Sequence, residues 1–238
     1  MKTAGLEDKV AIITGASKGI GKSIADHYAQ NGAKIVISAR HEEMLMKTKE
    51  ELRSRGAECV AVVADMSNED QIKNLVKTSF DSFERIDVLV NNAGIGLFKS
   101  VVEMSTQEYD QLFNVNMRGT FIATREVLKY MIPQNDGVII NIASLAGKNA
   151  VENGAVYAAT KWAMLGFGKS LMLEIRKHNI RVVTICPGSV DTDFSLGHSS
   201  DRGRVLKPED VAEAAVLAAS LPPRAMMSEI DLRPTNPK

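Results

Sequence analysis

Two kinds of hydrophobic pattern alternate along the chain. Short continuous runs rich in Val and Ile recur at 9–14 (KVAIIT), 33–38 (AKIVIS), 58–64 (ECVAVVA), 86–91 (IDVLVN), 137–143 (GVIINIA), 180–186 (IRVVTIC) and 227–232 (MSEIDL). Longer segments with apolar residues at helical spacing lie between them, beginning near residues 19, 41, 68, 105, 154 and 208. Runs without polar alternation predict strands covered on both faces. Strands alternating with helices require right-handed crossovers, so the pattern predicts an α/β fold: a doubly wound parallel sheet of about seven strands, helices on both faces. Ser67 or Asn68 before EDQIKNLV and Ser105 before TQEYDQLF supply helix start signals. With no linker, low-complexity segment or repeat in view, residues 1–238 are expected to form a single domain.

Two helical segments carry more apolar residues than one face needs. In 156–175 they include Trp162, Met164, Leu165, Phe167, Leu171 and Leu173; the stretch 109–132 has Leu112, Phe113, Val115, Phe121, Ile122, Leu128 and Met131. A helix that is hydrophobic nearly all round is buried on more than one side. One side is expected to meet the sheet and the other a second subunit, giving a homodimer or homotetramer; an enclosed helix in a monomer is the alternative.

Composition narrows the function classes. Lys plus Arg and Asp plus Glu number 29 each, so no global positive field recruits nucleic acid or an anionic membrane. Cys59 and Cys186 each sit in an apolar run, which reads as buried thiols rather than a disulfide framework. MKTAGLEDKVAIITG lacks a signal-peptide pattern, and no apolar stretch reaches the roughly 18 residues of a membrane span. A soluble cytoplasmic protein without a metal centre is expected.

Candidate chemistry begins directly after the first strand, where TGASKGIG opens a helix. A glycine-rich turn feeding a helix start exposes unpaired N–H groups and the positive dipole end, a site for a pyrophosphate. Gly15, Gly19 and Gly21 are spaced Gly-x-x-x-Gly-x-Gly, unlike the common Gly-x-Gly-x-x-Gly fingerprint. At the end of the second strand, NAD-binding sites place an acidic residue on the ribose. Here Ala39 and Arg40 stand instead, with Lys18 in the turn, so NADP(H) is expected over NAD(H). Glu42 and Glu43 leave open a reading of Arg40 as a solvated charge.

TGASKGIG (14–21), Asp65, NNAG (91–94), Asn116, Ser144, YAATK (157–161) and PGSVDT (187–192), in this order, resemble the short-chain dehydrogenase/reductase family over nearly the whole chain. The resemblance implies a Rossmann-type fold and a nicotinamide cofactor held by Gly15, Ser17, Lys18, Gly19, Ile20, Gly21, Ala39, Arg40, Asp65, Met66, Asn92, Ala93, Gly94, Tyr157, Lys161, Pro187, Gly188, Val190 and Thr192. It assigns Asp65 to the adenine amino group, and Val190 and Thr192 to the nicotinamide carboxamide. Tyr157 would be the general acid/base, with Ser144 on the substrate oxygen and Asn116 holding a relay water. Lys161 shares a helix face with Tyr157, and its ammonium together with the oxidised nicotinamide is expected to lower the Tyr157 pKa, so that carbonyl reduction slows as pH rises through the tuned value.

The segment 193–207 is expected to be a short polar substrate loop, with Arg202, Arg204 and His198 read as solvated loop residues. Leu97, Phe98 and Val151 are candidates for modest apolar contact. The chain ends MSEIDLRPTNPK rather than in the glycine-rich tail of beta-ketoacyl-carrier-protein reductases. The leading reading is thus NADPH-dependent reduction of a small-molecule aldehyde or ketone, reversibly, to an alcohol. The beta-ketoacyl-carrier-protein reductase is the alternative, and an NADP(H)-sensing binding protein is a third.

Overall fold

The computed structural model describes residues 5–195 and 205–235. Its strands are β1 (Val10–Thr14), β2 (Lys34–Ala39), β3 (Cys59–Val63), β4 (Val88–Asn91), β5 (Gly137–Ile142), β6 (Ile180–Pro187) and β7 (Glu229–Leu232). The helices are α1 (Gly19–Gln30), α2 (Glu42–Ser54), α3 (Glu69–Phe83), α4 (Thr106–Phe113), α5 (Gly119–Gln134), α6 (Ala155–Ile175) and α7 (Pro208–Ser220). All seven strands join one parallel sheet, as the patterning predicts; their order is β3-β2-β1-β4-β5-β6-β7.

Alternate residues of each inner strand feed two cores. Ala11 and Ile13 of β1 pack with Ile24 and Tyr28 of α1, Leu45 of α2 and Val211 of α7. Ile12, on the other face, packs with Leu75 of α3, Val127 of α5 and Leu171 of α6. The edge strands are less covered: β7 has no buried residue and Val63 of β3 is exposed. Asn68 and Ser105 cap α3 and α4 as expected, Ser105 in a reciprocal capping box with Glu108.

The helical stretch over 109–132 is corrected in one respect. It is interrupted by a π turn, Asn114–Arg118, so that α4 and α5 are separate helices. Within that turn the Asn116 side chain accepts from the Ile95 N–H (2.8 Å) and donates to the Ile95 carbonyl (2.9 Å). Two bonds to another segment hold the extra residue in place, and π turns often mark functional positions. Of the surplus apolar residues on these helices, Phe121, Trp162 and Leu173 lie exposed.

At the amino ends of the strands, Asp87 is buried and gathers hydrogen bonds from the Val10 N–H, Lys9 and both arms of Arg85. Lys9 also reaches Asp136 (2.8 Å). Strand order reverses between β1 and β4, the point where the carboxyl ends of an open α/β sheet part to form a crevice.

Candidate active site

Backbone geometry shapes the first wall of that crevice. Gly15 and Gly19 sit at φ +66° and +56°, a region L side chains rarely enter. A Cβ on Gly21 would stand 2.4 Å from both the Asn92 amide nitrogen and the Gly15 carbonyl. The Asn92 amide donates to the carbonyls of Thr14 (2.9 Å) and Gly15 (3.1 Å). The Thr14 hydroxyl accepts the N–H groups of Asn92 and Ala93 while lying 3.2 Å from the Val90 carbonyl, to which it donates. Unlike α3 and α4, α1 has neither a side-chain cap nor an acidic residue in its first turn. Its amino end can therefore receive the phosphates of a dinucleotide, and the glycine cradle leaves the backbone open to them.

Behind this turn opens a cavity of about 1080 Å³, at the upper end of the ~300–1,000 Å³ usual for small-molecule sites. Of the residues expected from sequence, Gly15, Lys18, Gly19, Ile20, Asn92, Ala93, Gly94, Ser144, Tyr157, Lys161, Pro187, Gly188, Val190 and Thr192 line it. Ser17, Gly21, Ala39, Arg40, Asp65, Met66 and Asn116 are not part of that lining. Gly21 underlies the turn. Ala39 is buried at the end of β2, whereas Arg40 is exposed. Burial works to raise the Asp65 pKa, but hydrogen bonds from Ser67 and the charge of nearby Arg40 leave it lowered. Met66 is buried, its carbonyl pressed against Gly119 at the start of α5.

The tetrad positions converge from three elements. Ser144 lies just beyond β5, its hydroxyl accepting the Ala146 N–H (3.1 Å). Tyr157 and Lys161 lie on the buried face of α6. Lys161 donates to the Ile142 carbonyl (3.0 Å), and its ammonium stands 5.9 Å from the Tyr157 ring centroid. Asn116 is fully buried and also donates to the Thr160 hydroxyl (3.1 Å), which itself donates to the Tyr157 carbonyl (2.7 Å). Thr160 thereby ties the π turn to α6. Sequence reasoning did not single it out, although it lies inside the YAATK motif.

Electrostatics correct one expectation. Burial pushes the Tyr157 phenol up to about 12, with Ser144 acting against the rise. Burial also pushes Lys161 down to about 8, opposed by Cys186. The expected lowering of Tyr157 by Lys161 is not the net result. The ammonium is engaged with Ile142 over the ring, and desolvation outweighs the remaining interactions. At neutral pH Tyr157 is a protonated donor beside a lysine only weakly committed to its proton.

Among the further residues that reach the cavity, Phe194 belongs to the segment expected as substrate loop, whereas Ile142, Leu145, Arg233 and Pro234 were not expected. Asp193 pairs with Lys18 (3.0 Å), joining the glycine turn to the start of segment 193–207, the expected substrate loop. Residues 196–204 of that loop, with His198, Arg202 and Arg204, lie outside the described residues. Among the described residues no three His, Cys, Asp or Glu side chains come together as metal ligands, and no helix is long and apolar enough to cross a membrane.

Comparisons with known proteins agree with this geometry. The family model for short chain dehydrogenases matches residues 9–203. An uncharacterized oxidoreductase of Staphylococcus saprophyticus is 35% identical over 96% of this chain and 98% of its own. A metagenomic short-chain oxidoreductase solved with NADP has TM-score 0.87 and 36% identity, covering 98% of this chain and 99% of that one. A 3-ketoacyl-(acyl-carrier-protein) reductase from Brucella melitensis complexed with NADH has TM-score 0.88 and 33% identity, covering 95% and 97%. The chain belongs to the short-chain dehydrogenase family and is an oxidoreductase of that family.

Proposed function

We propose that the chain catalyses reversible, NADPH-dependent reduction of an aldehyde or ketone, with Tyr157 as general acid/base. One observation carries this reading: a buried tyrosine, protonated at neutral pH, shares a cavity with Ser144, Lys161 and an uncapped glycine-turn helix start. The cofactor would lie with its phosphates at Gly15, Gly19 and the start of α1, its adenine end near Asp65 and Met66, and its nicotinamide near Pro187, Gly188, Val190 and Thr192. Bound there, the nicotinamide supplies the hydride. Arg40, exposed at the end of β2, favours a 2′-phosphate, to which Lys18 would add on exchanging its Asp193 contact, and the absence of a carboxylate at Ala39 disfavours an unphosphorylated ribose. The metagenomic relative solved with NADP supports the same preference.

Each protein group then has one task. Ser144 hydrogen-bonds the substrate oxygen and steadies the charge that grows on it. Tyr157 delivers its proton to that oxygen. Lys161 holds the ribose and returns a proton to Tyr157, and Asn116 keeps the relay water and the π turn in place. Residues 1–238 act as one catalytic domain, with 193–207 as its substrate loop. The exposed Phe121, Trp162 and Leu173 support assembly into a homodimer or homotetramer. Balanced charge and two free buried thiols support a cytoplasmic setting.

A second reading, beta-ketoacyl-carrier-protein reduction, is favoured by the Brucella melitensis relative and by an actinorhodin polyketide ketoreductase solved with NADPH (TM-score 0.89, 30% identity). Turnover of acetoacetyl thioesters above free ketones would select it. The primary reading is tested with a carbonyl panel, both cofactors and Tyr157→Phe. NADPH should outperform NADH, and the variant should keep NADPH binding while losing about 10²–10⁴-fold in turnover. Full activity in the variant would sink the assignment.

A further inference from the structure

The cavity has a second cluster, beside Tyr157, that the proton chemistry leaves unused. The Phe98 ring stands 5.2 Å from the Tyr157 ring, tilted by 54°, and the Phe194 ring 5.9 Å away, tilted by 52°. Both separations and tilts lie within the range aromatic pairs prefer. The two phenylalanines meet at Gly96. A Cβ there would come within 2.8 Å of the Phe194 ring and 3.2 Å of Phe98. Gly154 makes similar room on the far side, where a Cβ would lie 2.7 Å from Val151 and 3.3 Å from Phe98. Glycines at 96 and 154 therefore let the rings close on the phenol that would protonate the substrate.

The polar side chains around these rings are already engaged. Lys18 pairs with Asp193, Asn149 donates to the Leu145 carbonyl (3.0 Å), and Arg233 lies 3.6 Å from Asp231. An anionic substrate group would have to displace one of these contacts. An apolar group entering the cavity meets Phe98, Phe194, Leu145 and Val151 on its wall. Phe194 is nearly half exposed (46%). Flat apolar partners gain most against ring faces, because stacking adds to area burial.

We propose that Phe98 and Phe194, seated on Gly96, form an aromatic clamp that selects carbonyl substrates bearing an aryl ring, aryl aldehydes or aryl ketones, over unbranched aliphatic ones. The proposal rests on the carbonyl-reductase reading and names the substrate class of that same site. Phe98 and Phe194 are specificity determinants here, while Tyr157 remains the proton donor.

The test compares an aryl aldehyde with a linear aldehyde of similar carbon number, using NADPH and the whole chain. The wild type should prefer the aryl substrate by about tenfold or more in kcat/KM. Phe194→Ala should raise the aryl KM about tenfold more than the aliphatic KM, so that the aryl-to-linear ratio of kcat/KM falls toward one whatever the variant does to kcat for both substrates. Phe194→Tyr should retain the preference, and Gly96→Ala, which moves both rings, should erase it. Equal wild-type kcat/KM values, or equal KM losses for both substrates in Phe194→Ala, overturn the clamp while leaving the reductase reading intact. If neither aldehyde turns over, the reductase reading fails. The clamp is then decided by calorimetric binding of acetophenone against 2-octanone, where equal affinities overturn it and a Phe194-dependent aryl preference upholds it.

Discussion

The two ends of the sheet handle charge in opposite ways. At the amino ends, burial acts to raise the Asp87 pKa, yet Arg85, the Val10 N–H and Lys9 outweigh it and hold the carboxylate below its ordinary value. Burial opposes the Lys9 charge too, but Asp136 and Asp87 outweigh it and the pKa is raised. At the carboxyl ends burial wins, driving Tyr157 up to about 12 and Lys161 down to about 8. The first cluster favours its charged forms and stabilises the fold. The second keeps ionisable groups where their charged forms are costly, as reaction centres commonly do. The contrast teaches that burial and counter-charge act together: Lys9 is only partly buried and meets two carboxylates, whereas Lys161 is enclosed and meets a backbone carbonyl.

The largest effect expected on stability comes from breaking the paired end. Asp87→Ala leaves Lys9 and Arg85 without a shared carboxylate and the Val10 N–H without its acceptor. Lys9 and Arg85 are partly exposed and Lys9 keeps Asp136, so the main cost is the unpaired Val10 N–H and the lost charge-assisted bonds, about 2–3 kcal/mol, which in a chain of this size lowers Tm by about 4–10 °C. Turnover per folded molecule should be unchanged. The depressed pKa contributes stability that is present above the unfolded value of 3.8 and lost as pH falls through the folded one. The wild type should therefore lose its advantage over the variant in acid. A thermal melt series from pH 7 to 3 measures both, and an unchanged Tm at pH 7 would erase the contrast.

Lys161→Met should act in the opposite direction. The lysine pKa falls from 10.5 to about 8 on folding, so its penalty is fully present below pH 8 and relieved between 8 and 10.5. Removing it at pH 7 should stabilise the fold by about 1–3 kcal/mol, after allowing for the unpaired Ile142 carbonyl, and raise Tm by about 2–8 °C. Turnover should drop about 10²-fold or more. Differential scanning fluorimetry beside a kinetic assay checks the pair of effects. A lower Tm would mean that Lys161 supports the fold after all.

The smallest expected effect is a pH limb. For reduction, kcat/KM should fall as pH rises through about 8, where Lys161 loses its proton. Tyr157, at about 12, should add no second limb between pH 6 and 10. A rate profile with saturating NADPH reads this directly, and Lys161→Arg should move the limb upward. A limb near 10 in the wild type would assign the titration to the tyrosine instead.

Much of this was legible in the residues, and the exceptions have physical causes. Unbroken apolar runs mark the inner strands because both sheet faces are covered there, while the edge strand β7, with no buried residue, is marked more weakly by MSEIDL. The tetrad and glycine turn are legible because their chemistry needs particular residue types at strand ends and helix starts. The π turn was hidden, since one extra residue at Asn116 barely disturbs helical periodicity over 109–132. Phe194 was hidden as a single aromatic in the polar run DTDFSLGHSS, and Arg233 because it reaches the cavity from beyond the last strand. The direction of the Tyr157 shift was missed because i,i+4 spacing reports proximity and says nothing about desolvation.

The Thr14 hydroxyl has a wider consequence for how this site can change. It joins Val90, Asn92 and Ala93, while Asn92 grips Thr14 and Gly15 in return. The glycine turn and the segment opposite it are thus one rigid unit whose ordering cost is met by folding. Variation in this unit would misplace several groups together. Adaptation to another nucleotide should therefore proceed through side chains at the rim, where Lys18 and Arg40 are exposed. The scaffold is inherited whole, and preference is written at its margin.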